Sequence, residues 1–522
     1  MKYLKFFVSL KTDSRKPFLL FLFFYLIFCL VTYRQYGITW DEFNTYMSGG
    51  QWLKYYFGQP NLLFDSKPDV LFVYQSHSYF NSALIRILTL SKTIQPDRMH
   101  LTNMLLVIPI FWCFFELLRV QFKDWRWGLS GLLVLVLTPR FFGDIPANPI
   151  DVPFAVIYFI CLTYIILRDK WEKNKWQQNI ILGLFFGLAI SLRIVAFSLF
   201  LIYFIFRVYE DGFIEKKLTW KKLVQWLLPE MGWFLVIFFV SQIILCVLWP
   251  YIGKDYFHHL LDVFKISSSF GFDKKLLFMG HSIQLLNHFL WYYLPGWVLV
   301  VTPVFILVFG FLAITKVVTL WKNRTYFLMV LALLVNFMLY LLVKPELYNG
   351  LRQYLFLIPI LSFLACLGII DFFKNTKMRF ALYLAGTLIV INALLVIVQL
   401  IELYPYDYIY FNELIGGIKG AQGKFELDYW GASLREATEW LTKNEIKNPH
   451  RIYKVKLTCD QWQQVSYFLP NMTGYVNYTE KEADYWMVLN GLTDDKLPSS
   501  GTIIHTVERE GVPLSYVVKI QH

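Results

Sequence analysis

The sequence predicts a polytopic α-helical membrane protein of about eleven transmembrane helices, followed by a C-terminal α/β domain outside the membrane. Three observations lead there. Hydrophobic residues are 57% of the 522 and charged residues 16%, with a mean hydropathy of +0.47, more apolar surface than an ordinary soluble domain can bury. The apolar residues gather in long runs separated by basic clusters. After Leu403 the runs stop and a mixed composition begins.

The first run, 17–36, follows the charged stretch MKYLKFFVSLKTDSRK and lacks a small-x-small cleavage site, so it reads as a retained anchor. Further runs lie at 101–121, 127–138, 150–167, 178–206, 231–250, 289–315, 325–343, 351–373 and 379–402. Basic clusters precede the first run and recur at Lys123/Arg126, 168–175, 215–222, Lys316/Lys322/Arg324 and Lys374/Lys377/Arg379, which the positive-inside rule assigns to the cytoplasm. Run 178–206 sits between two such clusters, so a single crossing would separate them. Two short helices turning near "SLRIVAF" (191–197) restore the alternation. The count becomes eleven, with the N-terminus inside and the C-terminus outside.

The long loops 37–100, 139–149, 251–288 and 344–350 then fall outside. Loop 37–100 carries interfacial stretches such as "QWLKYYF" (51–57). The expected division is a transmembrane domain over 1–402 and an extracytoplasmic α/β domain over 403–522. In the latter, "SLREATEWL" (433–441) reads as a capped helix, and 451–457, 483–489 and 501–520 as strands, the last a hairpin. The triplets at 471–473 and 477–479 match a glycosylation acceptor pattern and receive no role. No internal repeat is visible, which disfavours an inverted-repeat transporter.

A formal charge of +12 suits cytoplasmic loops better than nucleic acid, for no basic stretch is interleaved with a binding motif. Five of the six cysteines lie in apolar runs and none has ligand spacing, so neither disulfides nor a zinc site is expected. No HxH or HExxH occurs. No metal is assigned and no cofactor is required, although a divalent ion is not excluded.

Candidate site residues come from the outer loops. "RQYGITWDEFNTYMSGG" (34–50) sets Asp41 and Glu42 side by side where the first span ends. Neighbours on a helix diverge by about 100°, so only one can face a given cavity. One of the two reads as a general base and the other as a companion that orients or salt-bridges it, with solvated loop carboxylates as the alternative. In "TPRFFGDIPANPIDVPF" (138–154) prolines and a glycine fix the path. Asp144 is the second catalytic acid there. Asp151 is equally a helix cap, and Arg140 a phosphate contact or an interfacial anchor. In "KPELYNGLRQYLFLIPIL" (344–361) Arg352 is the lone charge at the outer end of an apolar span, suited to an anion such as a lipid phosphate. Lys344 and Tyr348 join it as substrate-binding candidates. His77 and His281 are further candidates, with ordinary loop histidines as the alternative. The belt "HFLWYYLPGWVLVVTP" (288–303) anchors a span or lines a groove.

Collected on the outer face, these groups suit chemistry on a membrane-held carrier, since no nucleotide sugar is supplied there. A polyprenyl-phosphate sugar places its tail between spans and its phosphate on Arg, and a carboxylate takes the acceptor's proton. The motifs "TWDEF", "PRFFGD…NPIDVPF", "WYYLP…TP" and "LYNGLRQYLFLIP" resemble the membrane-embedded type C glycosyltransferases, in the protein O-mannosyltransferase and lipid A aminoarabinose transferase superfamily. The resemblance spans residues 1 to about 402, and 404–431 looks like the continuation in bacterial members. It implies the GT-C fold and a polyprenyl-phosphate-linked sugar donor. Asp41 would be the base, Asp144 the second-loop acid and Arg352 the phosphate contact, with membrane lipids around the chain and a protein, lipid or glycan as acceptor. A lipid-linked glycan polymerase or ligase is the rival within enzymes. A flippase is the rival outside them.

Overall fold

The computed structural model describes residues 14–58, 87, 95–171, 174–214, 220–268, 275–284, 289–448, 450–457, 462–469, 473–474, 482–490, 497–498 and 501–521. His77 and most of both glycosylation triplets lie outside them. The chain is predominantly helical. Six described helices are long and apolar enough to cross a membrane, and three shorter ones are apolar. This is a multi-pass membrane protein.

In chain order the helices that matter are α1 (Lys16–Thr32), α2 (Trp40–Tyr56), α3 (Pro96–Leu106), α4 (Ile108–Phe122), α5 (Trp125–Val136), α6 (Pro139–Phe142), α7 (Asp151–Trp171), α8 (Lys175–Leu192) and α9 (Ser198–Val208). They continue with α10 (Trp220–Leu248), α11 (Tyr256–Ser268), α12 (Tyr293–Val301), α13 (Val304–Thr315), α14 (Arg324–Val343), α15 (Leu357–Asn375) and α16 (Arg379–Leu403). The run 178–206 is indeed broken. Arg193, in an extended conformation, ends α8, and a 3-10 turn leads into α9. Gly183 and Gly187, one turn apart, let α10 approach α8, where added Cβ atoms would collide with Val240 and Ile244. Helix α5 has 12 residues, about 18 Å of rise, less than the ~30 Å hydrocarbon core.

The basic loops gather at one end of the bundle. Ion pairs there join Arg15 to Glu116 at 2.7 Å, Arg207 to Glu230 at 3.0 Å, and Lys316 to Asp371. Asn174 and Asn323 cap α8 and α14, each accepting a backbone N–H. Centrality differs sharply among the spans. The apolar stretch of α7 is 83% buried and that of α15 72%, whereas that of α16 is 6% buried and faces outward along its length.

The opposite end carries α2, α6, a two-stranded antiparallel hairpin (β1 Lys275–Phe278, β2 His281–Gln284) and the segment 404–431. Beyond it lies a five-stranded sheet, ordered β4-β3-β5-β7-β6, of β3 (Tyr453–Leu457), β4 (Thr473–Gly474), β5 (Tyr485–Leu489), β6 (Gly501–Arg509) and β7 (Val512–Ile520). Strand β3 pairs parallel with β4 and β5, and β7 pairs antiparallel with β5 and β6. The β6–β7 turn is Glu510-Gly511, both at positive φ, as a two-residue hairpin turn needs. Helix α17 (Leu434–Asn444) packs on the sheet through Ala437, Thr438 and Leu441. Its first turn is capped differently from the sequence reading. Asp428 accepts from the backbone N–H of Ala432 and Ser433, while the Ser433 side chain makes no cap.

Candidate active site

Three carboxylates predicted from two loops are each paired with an arginine. Thr39 starts α2 in an extended conformation, and the helix runs Trp40, Asp41, Glu42. The two acids diverge as the helical period requires. Glu42 is 1% exposed and turns back on its own helix, where its Oε2 accepts from the Thr39 N–H at 2.7 Å to complete a capping box. Its Oε1 lies 2.9 Å from Nε2 of buried His100. His100 Nδ1 is 3.2 Å from the Tyr33 carbonyl. That oxygen only accepts, so Nδ1 carries a hydrogen. Asp41 faces away, with its side chain 23% exposed, and accepts from Arg352 Nη1 at 2.5 Å.

Arg352 opens a 3-10 turn, Arg352–Tyr354, before α15 begins at Leu357, later than the 351 expected of the span. Its guanidinium lies over Tyr348 at 4.8 Å and over Trp430 at 5.0 Å, a sandwich that fixes its direction.

The second loop is held from both sides. Thr39 Oγ1 donates to the Ala147 carbonyl at 2.7 Å, and Asn103 Nδ2 to the Pro146 carbonyl at 2.9 Å. Arg140 is 2% exposed. It donates to the Tyr408 carbonyl and the Tyr429 hydroxyl, with Nε 3.8 Å from Asp144. It is therefore neither an interfacial anchor nor a free phosphate contact. It ties the loop to segment 404–431. Burial pushes Asp144 up to about 6, even though Arg140 pulls it down; Asp151 adds to the rise, and Trp430 and Arg352 oppose it. These charges thus share one field.

Asp151, the first residue of α7, is 1% exposed and pairs with Arg193. Asn148 supplies the cap, accepting from the Asp151 N–H at 2.8 Å and donating to its carboxylate at 3.2 Å. Arg193 also lines a cavity of about 310 Å³ walled by α9, α11 and α14, with Trp249, Phe264, Leu339, Gln353 and Tyr354 among its lining residues. Gln353, next in sequence to Arg352, also lines this apolar cavity.

The structure brings together Asp41, Asp144, Asp151, Arg140, Tyr348 and Arg352. It does not bring Lys344, which closes α14 in a left-handed conformation with its side chain exposed. His281 is exposed on β2 and forms no ion pair or hydrogen bond with the three pairs. Sequence reasoning missed Arg193, His100 and Trp430. The signal for Arg193 was there, a single charge inside an apolar run. Among the described residues no group of three His, Cys, Asp or Glu could hold a metal ion.

The fold and this cluster define a class, a helical membrane protein with acid–arginine pairs at one end of its bundle beside an apolar cavity. Residues 77–242, about a third of the chain, match the family model of dolichyl-phosphate-mannose-protein mannosyltransferase. Over that stretch the chain is similar to this family, whose model covers less than half of the chain. No curated protein matches it by sequence. Among solved structures, ArnT from Cupriavidus metallidurans, bound to undecaprenyl phosphate, aligns over 97% of this chain and 98% of its own at 13% identity and a TM-score of 0.48. The apo oligosaccharyltransferase of Archaeoglobus fulgidus aligns over 83% of this chain at 12% identity and 0.40, and this chain spans 64% of its length. The same organism's AglB, in complex with an inhibitory peptide and a dolichol-phosphate, aligns over 86% of this chain and 69% of its own at 12% and 0.41.

Proposed function

We propose that the protein transfers a single sugar from a polyprenyl-phosphate donor to an acceptor hydroxyl at the outer face of the cytoplasmic membrane. The observation that carries this is the Asp41–Arg352 pair, with Arg193 of the Asp151 pair and Gln353, next in sequence to Arg352, lining an apolar cavity of about 310 Å³. The isoprenoid chain lies in that cavity, and its phosphate meets Arg352, with Arg193 at the cavity wall. An arriving phosphate competes with Asp41 for the guanidinium and leaves the carboxylate free to act.

Asp41 is the base because a base must reach the acceptor, and its side chain is 23% exposed where those of Asp144 and Asp151 are 1%. The acceptor oxygen attacks the anomeric carbon from the face opposite the phosphate and inverts it. Its proton passes to Asp41 Oδ, and the carbon–oxygen bond to phosphate breaks with its electron pair leaving on the carrier. Arg352 stabilises that charge, so the displacement needs no covalent intermediate and no metal. Asp144, fixed by Arg140, holds the second loop against the acceptor side. On the eleven-span reading, the positive-inside rule assigns the basic loops to the cytoplasm and puts the site, with the α/β domain over 403–522, outside.

The test is purified protein with a labelled polyprenyl-phosphate hexose and an acceptor extract. Asp41→Asn and Arg352→Ala should abolish or severely depress transfer. Wild-type rates in both would remove the mechanism.

A further inference from the structure

Asp407 is a buried carboxyl that the mechanism leaves unused. It lies in a 3-10 turn just past α16, is 6% exposed, and its Oδ1 has no hydrogen-bond partner among the described residues. Buried carboxyls without a donor are rare and costly, and each asks for an explanation. The groove that Asp407 closes supplies one. Its volume is about 480 Å³, within the range of about 300–1,000 Å³ common to small-molecule sites. Phe21, Phe24 and Phe28 of α1 form one wall, Leu400 and Ile401 of α16 another, and Phe142 part of the floor. Phe24 and Ile401 are 60% and 73% exposed on spans that face lipid, so the groove opens sideways into the bilayer. A smaller recess continues behind Asp407 to Tyr36, Gly143 and Pro146, the back of the loop that carries Asp144.

We propose that this groove binds one membrane amphiphile with a hydroxyl head, its chain between α1 and α16 and its hydroxyl on Asp407. The chemistry selects that head. Burial pushes Asp407 up to about 8, so at neutral pH it is a carboxylic acid, able to donate and accept at once. A hydroxyl reciprocates both bonds. None of the groove's lining residues is basic, which disfavours a phosphate head. An ammonium would have to ionise that acid and hold an ion pair in a largely apolar groove, at a cost in desolvation. The site is thus chemically distinct from the cavity lined by Arg193, and it does not depend on the transfer mechanism proposed above.

The experiment is photolabelling of the purified full chain in detergent with a long-chain alcohol carrying a diazirine. The same chain ending in methyl, and in trimethylammonium, serve as the comparison arms. The alcohol should label peptides of α1 and α16 about fivefold more than the methyl analogue, the worth of one buried hydrogen bond. Asp407→Leu should erase that preference while leaving overall labelling. Leu400→Trp, which narrows the groove without touching the acid, should reduce labelling by all three and keeps the test informative if the first variant does not fold. Equal labelling by alcohol and methyl chains in the wild type would overturn the proposal. So would stronger labelling by the ammonium chain, or a preference that survives Asp407→Leu. Transfer activity is not read, so loss of the glycosyltransferase mechanism would leave this result standing.

Discussion

Glu42 stands beside the proposed base, yet the geometry makes it a positioning residue, and a pair of substitutions separates those roles. Glu42→Gln keeps the shape. Its amide oxygen can take the Thr39 N–H that Oε2 accepts at 2.7 Å, and its amide N–H can donate to His100 Nε2, now 2.9 Å from Oε1. With Nδ1–H committed to the Tyr33 carbonyl, neutral His100 is a ready acceptor. Glu42→Ala loses both contacts. The cap costs about 1 kcal/mol, and a buried His100 nitrogen without a partner costs about 1–3 kcal/mol more, giving a loss of about 2–4 kcal/mol. In the transfer assay Glu42→Gln should stay within about tenfold of wild type, whereas Asp41→Asn should lose the 10²–10⁴ or so that a general base contributes. Thermal midpoints in detergent should fall for Glu42→Ala and barely move for Glu42→Gln. If Glu42→Gln were as inactive as Asp41→Asn at an unchanged midpoint, Glu42 would touch the reacting atoms and its assignment as a support would be wrong.

Arg352→Ala should weaken donor binding about ten- to hundredfold, as loss of a charge-assisted contact predicts, seen as a raised KM for the polyprenyl-phosphate sugar. An unchanged KM would place the phosphate elsewhere. Arg193→Ala leaves Asp151, 1% exposed, without its cation and should cost about 3–5 kcal/mol. Adding Asp151→Asn should restore most of the lost thermal midpoint, and a single variant that melts like wild type would contradict a structural pair. Asp407 gives a pH signature. Its folded value of about 8 lies above the usual 3.8, so the unfolded chain ionises first as pH rises. Stability then falls across the window from about 4 to 8 and levels off above it. Asp407→Asn removes that slope, so its advantage over wild type should grow by about 4 kcal/mol between about pH 5 and 8, read as diverging midpoints. Parallel curves would show the acid to be solvated or paired.

What the sequence made legible follows from the range of the signal. Apolar periodicity and basic loops are local, so the helical class, the break near 191–197 and the strands of 453–520 could be read directly. Charges stranded at span ends are local too, and Asp41, Asp144, Asp151 and Arg352 were singled out as candidates that way. Partnership is not local. Nothing near Asp151 announces Arg193, and nothing near Glu42 announces His100, because those contacts exist only after α3, α7 and α8 have packed. The partners of Arg140 were hidden for the same reason, its acceptors lying 268 and 289 residues away.

That distance bears on where the transmembrane part ends. A boundary at 403 follows hydropathy, but the site does not respect it. Trp430 stacks on Arg352, Tyr408 and Tyr429 receive Arg140, and Gln464 bridges the carbonyls of Ile38 and Trp430 at 3.0 and 2.7 Å. Tyr408, Tyr429 and Trp430 therefore wall the candidate site from beyond that boundary. A chain stopped after Leu403 should lose transfer entirely even if its spans insert. Arg140 would keep its charge and lose two charge-assisted bonds, each about 1.5–3 kcal/mol, in a loop that also carries Asp144. Supplying residues 404–522 as a separate chain should not restore activity, since the wall is continuous with α16. Wild-type transfer by the shortened chain would show that the pairs stand without that wall, and would return the boundary to 403.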